Sequence, residues 1–307
     1  MSIVLSRTDE ALEHLRLASE SAGLNIGETV VPTDHHIVVD GLRLHYLDWG
    51  RRERPPLLFL HGGRLTAHTW DLICLALRTD YHCVAVDQRG HGDSEWSPTI
   101  DYEPDAHVRD LRGLIQHLDL NRPVLIGQSL GGLNTLTYAI HAAEKLAGIV
   151  VIDIAPEVQS QGTERITSFA ADPTPGSLDD FVQRALRFDS RRDPRLLRHS
   201  LRHNLRQMPN ETWTWKYDPR RITPEHFANI VRCLEQLRDH IRAVTCPVLV
   251  VRGADSDVLS DEQAADFAAA LPNGRWAKVH AAGHNVQSDN PRELIGVLID
   301  FLTDIDY

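Results

Sequence analysis

The strongest constraint in this chain is a set of short apolar runs that do not alternate: PPLLFLHGG (55–63), CVAVDQRGHG (83–92), the stretch 123–127, AGIVVIDIA (147–155) and PVLVVRGAD (247–255). A strand with one wet face alternates apolar and polar side chains. A strand covered on both faces does not, and reads as a continuous apolar run. Between these runs lie segments with apolar residues at helical spacing, at 67–78, 104–119, 130–143, 261–270 and 291–303. Over 104–119, Val108, Leu111, Leu114, Ile115 and Leu118 share one face. Such strand–helix alternation predicts a mostly parallel sheet with helices on both faces. HIVVDGLRLHYLDWG (36–50) adds an alternating hairpin around Asp40-Gly41, and RWAKVHAAGH (275–284) adds a last strand.

The rhythm breaks once. From about 156 to 240 the chain is helical in tone, without a buried strand run, and includes the loop-like ADPTPGS (171–177). The simplest account is an α/β core over 31–155 and 241–307, interrupted by a helical cap over 156–240. Residues 8–21 form an amphipathic pattern with Leu12, Leu15 and Leu17, so 1–30 is expected to be an N-terminal helical extension.

The formal net charge of -11 argues against a nucleic-acid binder, whose footprint is a basic excess. The first residues, MSIVLSRTDEALEHL, hold only a three-residue apolar run before Arg7, too short for a signal-peptide core. No stretch approaches the apolar length of a membrane span. Cys74, Cys83, Cys233 and Cys246 have no paired close spacing and read as free, mostly buried thiols. These features predict a cytoplasmic protein with no membrane partner.

One apolar run ends in VLIGQSLGG (124–132), where Ser129 stands between Gly127 and Gly131. The pentapeptide fits G-x-S-x-G. A nucleophile at the carboxyl end of a buried strand must rise clear of the sheet while a helix begins just after it. That turn forces an unfavourable backbone conformation and close backbone approach, which flanking glycines relieve. The helix N-terminus then points free N–H groups at any oxyanion formed there. A serine nucleophile needs a base, and the base needs an orienting acid. His284 follows a strand-like run, in Ala282-Gly283-His284. Carboxylates lie in GADSD (253–257), after another strand, and Asp153 ends an earlier one.

LHGG (60–63), DQRGHGDS (87–94), GQSLGG (127–132), VLVVRGADSD (248–257) and AGH (282–284) together resemble the α/β-hydrolase family, over nearly all of the chain from about residue 36. The resemblance implies the α/β-hydrolase fold: a mostly parallel central sheet flanked by helices, with an inserted helical cap. It implies that Ser129 attacks a carbonyl and that His284 acts as base, then acid. It implies an oxyanion hole from the backbone N–H groups of Gly63 and Leu130. Arg64 follows Gly63, so the longer glycine string of lipases is absent. Among the acids, Asp257 is favoured over Asp255, because related hydrolases often carry a Ser-Asp step before apolar residues, as in Ser256-Asp257-Val258-Leu259. Asp153 ranks third.

Other motifs have plainer readings. His199 and His203 stand four apart on an expected helix, a spacing that suits a metal. Arg198, Arg202 and Arg206 crowd the same segment and would repel a cation, so no metal is expected. His61, His91, Asp87 and Arg89 read as loop braces. The arginines from Arg184 to Arg206 read as a solvated helix face, or one of them as a clamp on a substrate carboxylate. Trp213, Trp215 and Tyr217 are either cap packing or an aromatic wall that binds an acyl or aryl group.

The expectation is therefore a cofactor-free serine hydrolase acting on a small carboxylic ester, lactone or thioester. A carbon–carbon bond hydrolase of aromatic degradation and a perhydrolase keep the same triad. A ligand receptor on the same fold, with little turnover, is the rival of a different class. The expected partner is the small-molecule substrate, and a homodimer is left open.

Overall fold

The computed structural model describes residues 7–157, 174–188, 192–221 and 223–307. The chain enters through helix α1 (Arg7–Ser21) and the antiparallel strands β1 (Thr33–Val39) and β2 (Leu42–Asp48). The alternating unit follows: β3 (Pro56–Leu60), a 3₁₀ turn (Ala67–Trp70), α2 (Asp71–Leu77), β4 (His82–Asp87), α3 (Pro104–His117), β5 (Val124–Gln128), α4 (Leu130–Ala142) and β6 (Gly148–Ile152). After the insertion come β9 (Val248–Gly253), α8 (Asp261–Ala270), β10 (Gly274–Val279), the short α9 (Val286–Asp289) and α10 (Pro291–Asp304).

These strands form one eight-stranded sheet in the order β1-β2-β4-β3-β5-β6-β9-β10. Every pairing from β4 through β10 is parallel, and β2 alone runs against the rest, pairing antiparallel with both β1 and β4. The parallel strands β3 to β6 are buried almost throughout, which is why they read as unbroken apolar runs. One apolar cluster covers one face of the sheet and includes Leu111, Leu114, Leu133, Leu136 and Phe267. A second covers the other face and includes Leu15, Ile73, Leu77, Leu298 and Phe301. Leu15 of α1 belongs to that second cluster, so the N-terminal helix packs on the core. The carboxyl ends of β3, β5, β6 and β9 share one edge of the sheet, where ligands of open α/β folds bind.

The insertion between β6 and β9 contains α5 (Leu178–Phe188), α6 (Pro194–Asn204), β7 (Leu205–Gln207), β8 (Trp213–Trp215) and α7 (Pro224–His240). It is not purely helical: β7 and β8 make a short antiparallel pair. Its own apolar cluster joins Leu178, Phe181, Val182, Leu197, Leu201 and Leu205. Leu234 and Leu237 of α7 instead belong to the core cluster, so α7 roots the insertion in the core. Residues 158–173, with part of ADPTPGS, and Arg191 lie outside the described residues. Cys74, Cys83 and Cys246 are buried free thiols, and Cys233 is half-buried. Among the described residues, no helix is long and apolar enough to cross a membrane.

Candidate active site

Ser129 sits between the end of β5 and the first residue of α4, with φ 51° and ψ −115°. That conformation costs a non-glycine residue about 1–3 kcal/mol. The surroundings hold it there. Ser129 N–H donates to Ile152 O at 3.0 Å, and Ser129 O accepts from Leu133 N–H at 2.9 Å. A Cβ on Gly127 would fall 2.2 Å from Gly131 O, and one on Gly131 would fall 2.2 Å from Leu60 O. Both contacts are with backbone, so neither flank tolerates a side chain. Ser129 remains partly exposed although β5 is buried throughout.

His284 lies in the loop after β10. Its Nδ1–H donates to Asp153 Oδ2 at 2.8 Å, which leaves the Nε2 lone pair for a proton acceptor's role. The acid on the histidine is thus Asp153, directly after β6, and not Asp257. The sheet order explains the difference. β6 lies between β5 and β9, so its end is flanked by the serine turn on one side and the 253–257 loop on the other. Asp153 is fully buried. Its Oδ2 also accepts from Ser256 Oγ at 2.5 Å, and its Oδ1 accepts from Gly253 N–H at 3.2 Å. The loop expected to supply the acid instead supplies hydrogen-bond donors to it. Ser256 turns inward for that purpose, while Asp255 is exposed and Asp257 half-buried.

Gln128, the residue before Ser129, has no mark in the sequence because its position is variable in G-x-S-x-G. Its Nε2–H donates to His284 O at 2.9 Å and so ties the histidine loop to the serine turn. Only the folded sheet brings these two loops together.

The Gly63 and Leu130 amides were expected to stabilise an oxyanion. Leu130 opens α4, and the first N–H groups of a helix have no intrahelical acceptor. Gly62 is the nearer loop's contact with the serine: a Cβ there would lie 3.4 Å from Ser129 Cβ. The Gly62 carbonyl accepts from His61 Nδ1–H at 2.7 Å and from Leu65 N–H at 3.2 Å. Across the same trans peptide, Gly63 N–H faces the opposite way. His61 keeps that tautomer because its Nε2 accepts from Gln88 N–H at 3.0 Å, and burial holds its pKa low.

The other loop signatures are braces. Arg89 makes a paired contact with Asp110, at 2.6 and 2.7 Å. Asp87 accepts from Ala67 N–H, Asp93 N–H and His45 Nδ1–H. Burial would raise the Asp87 carboxyl, but these bonds, led by His45, hold it down at about 2. Trp213 and Trp215 are half-buried and pack against the insertion's own cluster. Trp215 meets Phe181 edge to face at 5.1 Å and stacks on Tyr217 at 5.8 Å. Tyr217 is buried and close to Arg64, whose pKa burial lowers and Tyr217 raises. Tyr217 is thereby linked to the Gly63 loop.

The sequence matches a family described as alpha/beta hydrolase fold over residues 55–291. It is 30% identical over 260 residues to the esterase Rv0045c of Mycobacterium tuberculosis, covering 82% of this chain and 84% of that protein. A crystal structure of that esterase superposes with a TM-score of 0.77 at 28% identity, over 98% of this chain and 100% of the other. The chain is also 27% identical, over 253 residues, to 2-(acetamidomethylene)succinate hydrolase of Mesorhizobium japonicum, covering 81% of this chain and 88% of that protein.

Proposed function

Because the chain belongs to the α/β-hydrolase family and is a hydrolase of the carboxylic-ester type, we propose that it cleaves a small ester, lactone or thioester through an acyl-enzyme on Ser129. The observation that carries this reading is the His284–Asp153 hydrogen bond beside a serine held at φ 51°. Ser129 Oγ attacks the carbonyl carbon as His284 Nε2 takes its proton. Asp153 fixes the imidazole tautomer and stabilises the imidazolium. The Leu130 and Gly63 amides receive the oxyanion, a contribution of about 10²–10³ in kcat per donor in well-studied cases. The imidazolium protonates the leaving group. Water then attacks the acyl-enzyme with His284 as base, and the acid leaves. Atoms balance without a cofactor.

The test is a panel of p-nitrophenyl esters, lactones and vinylogous diketones, run on wild type and Ser129→Ala, with a fluorophosphonate probe. Ester, lactone or thioester turnover and probe labelling, both lost in Ser129→Ala, are expected. Labelling elsewhere or full activity in Ser129→Ala overturns the proposal. Cleavage of diketones alone assigns carbon–carbon chemistry instead.

A further inference from the structure

Where the N-terminal helix, the insertion and the core meet, four imidazoles stand in a row. His199 and His203 are one turn apart on α6, so both leave the same face. Their Nε2 atoms lie 3.1 Å apart. His14 of α1 stacks on His199, with ring centroids 3.3 Å apart and planes 12° from parallel. On the other side, His68 of the 3₁₀ turn lies 3.6 Å from His203, centroid to centroid. His68 Nδ1–H donates to Asp71 Oδ2 at 3.0 Å.

We propose that His199 and His203 chelate a divalent transition-metal ion through their Nε2 atoms, with water completing its shell. The spacing fits. Two nitrogens about 2.0–2.1 Å from a metal, at an angle between square and tetrahedral, are about 2.9–3.4 Å apart. Imidazole pairs suit copper, nickel and zinc. Binding replaces the contact between the two Nε2 atoms and releases the proton shared there to solvent.

Of the three arginines that crowd this segment, two are engaged elsewhere, and Arg202 remains a positive neighbour of His199. Arg198 is paired with Asp179, and Arg206 lies over the Trp96 ring at 5.0 Å. Lys216, which faces the cluster, is held by Asp93 at 2.7 Å. The other candidate group, His45, Asp87 and Asp93, carries no such proposal, since both Asp87 oxygens already accept hydrogen bonds.

The experiment uses the full chain, stripped with a chelator and titrated with Cu²⁺, Ni²⁺ and Zn²⁺ by calorimetry at pH 7.5. One saturable equivalent is expected, tightest for Cu²⁺. His199→Gln and His203→Gln should each weaken it at least tenfold, whereas His280→Gln, at an exposed histidine paired with Glu293, should not. Circular dichroism checks that the variants fold. Independently of any variant, Cu²⁺ paramagnetic resonance of the wild type should show splitting from two or more imidazole nitrogens. The metal should also raise the wild-type Tm. Absence of saturable binding, equal affinity in folded His199→Gln and His203→Gln, or a copper spectrum with fewer than two nitrogens overturns the proposal.

Discussion

The Nδ1 of His284 and the Oδ2 of Asp153 meet at 2.8 Å across 131 residues of chain, with the whole insertion between them in sequence. The contact assigns work to a carboxylate that precedes the insertion, and it ranks three variants. Asp153→Asn should lower kcat by about 10⁴-fold, because an amide favours the wrong histidine tautomer. Asp257→Asn and Asp255→Asn should each change kcat less than about tenfold, as the carboxylate on the imidazole Nδ1 is Asp153. Steady-state kinetics on one p-nitrophenyl ester decides it. A larger loss in Asp257→Asn than in Asp153→Asn would return the acid to the 253–257 loop.

That ranking also shows what could be read from residues alone. The strand ends, the serine turn and His284 were legible because each has a local physical cause: burial on both faces, backbone crowding at Gly127 and Gly131, a loop just after a strand. The acid had no such local mark. Asp153 merges with the apolar run GIVVIDIA, and GADSD offers two rival carboxylates. What selects Asp153 is the position of β6 between β5 and β9, a non-local fact of sheet order. The β7–β8 pair was illegible for a different reason. At three residues each, its strands are too short for a period to register.

Two glycines of the site should respond differently to alanine. At Gly131 the new Cβ would meet Leu60 O at 2.2 Å, and backbone at the end of a buried strand cannot yield cheaply. Overpacking of this kind costs about 1–3 kcal/mol or more. At roughly 2–4 °C per kcal/mol for a domain of this size, Gly131→Ala should lower Tm by several degrees and reduce labelling of Ser129. At Gly63 an added Cβ meets nothing within 4 Å, so Gly63→Ala should keep Tm within about 2 °C of wild type. Thermal melts of the two variants check the contrast, and equal Tm losses would contradict it.

Stability should also depend on pH through His45. Burial alone would lower this imidazole, but hydrogen bonds to Asp34 and Asp87 raise it to about 9. The folded chain therefore holds a proton between the unfolded value of about 6.5 and about pH 9, while the unfolded chain does not. The folded state binds more protons there, so unfolding free energy falls as pH rises. The contribution is fully present below about pH 6.5 and is lost by about pH 9, on the order of 3 kcal/mol in total. Urea melts from pH 6.5 to 9.5 should show this decline in wild type. In His45→Gln the starting stability should be lower and the decline largely absent. An equal slope in both proteins would assign the dependence to another group.

The three insertion aromatics differ in what they pack against. Trp213 and Trp215 pack against the insertion's own apolar cluster, and Trp215 meets Phe181 edge to face. Truncating either should remove packing, at a cost of up to about 3 kcal/mol for these half-buried rings. Tyr217 instead lies by Arg64, which directly follows Gly63 in the loop beside Ser129. A buried aromatic there can shape the space for an acyl group. Tyr217→Ala should therefore change the ranking of acyl lengths in kcat/KM, by about 10–200-fold for a poorly matched group. Trp213→Ala and Trp215→Ala should lower Tm and keep the wild-type ranking. Labelling of Ser129 by a small phosphonate should survive in all three, because that reaction uses only the serine, the histidine and the amides. A changed ranking in the tryptophan variants with an unchanged one in Tyr217→Ala would place the substrate against the tryptophans instead.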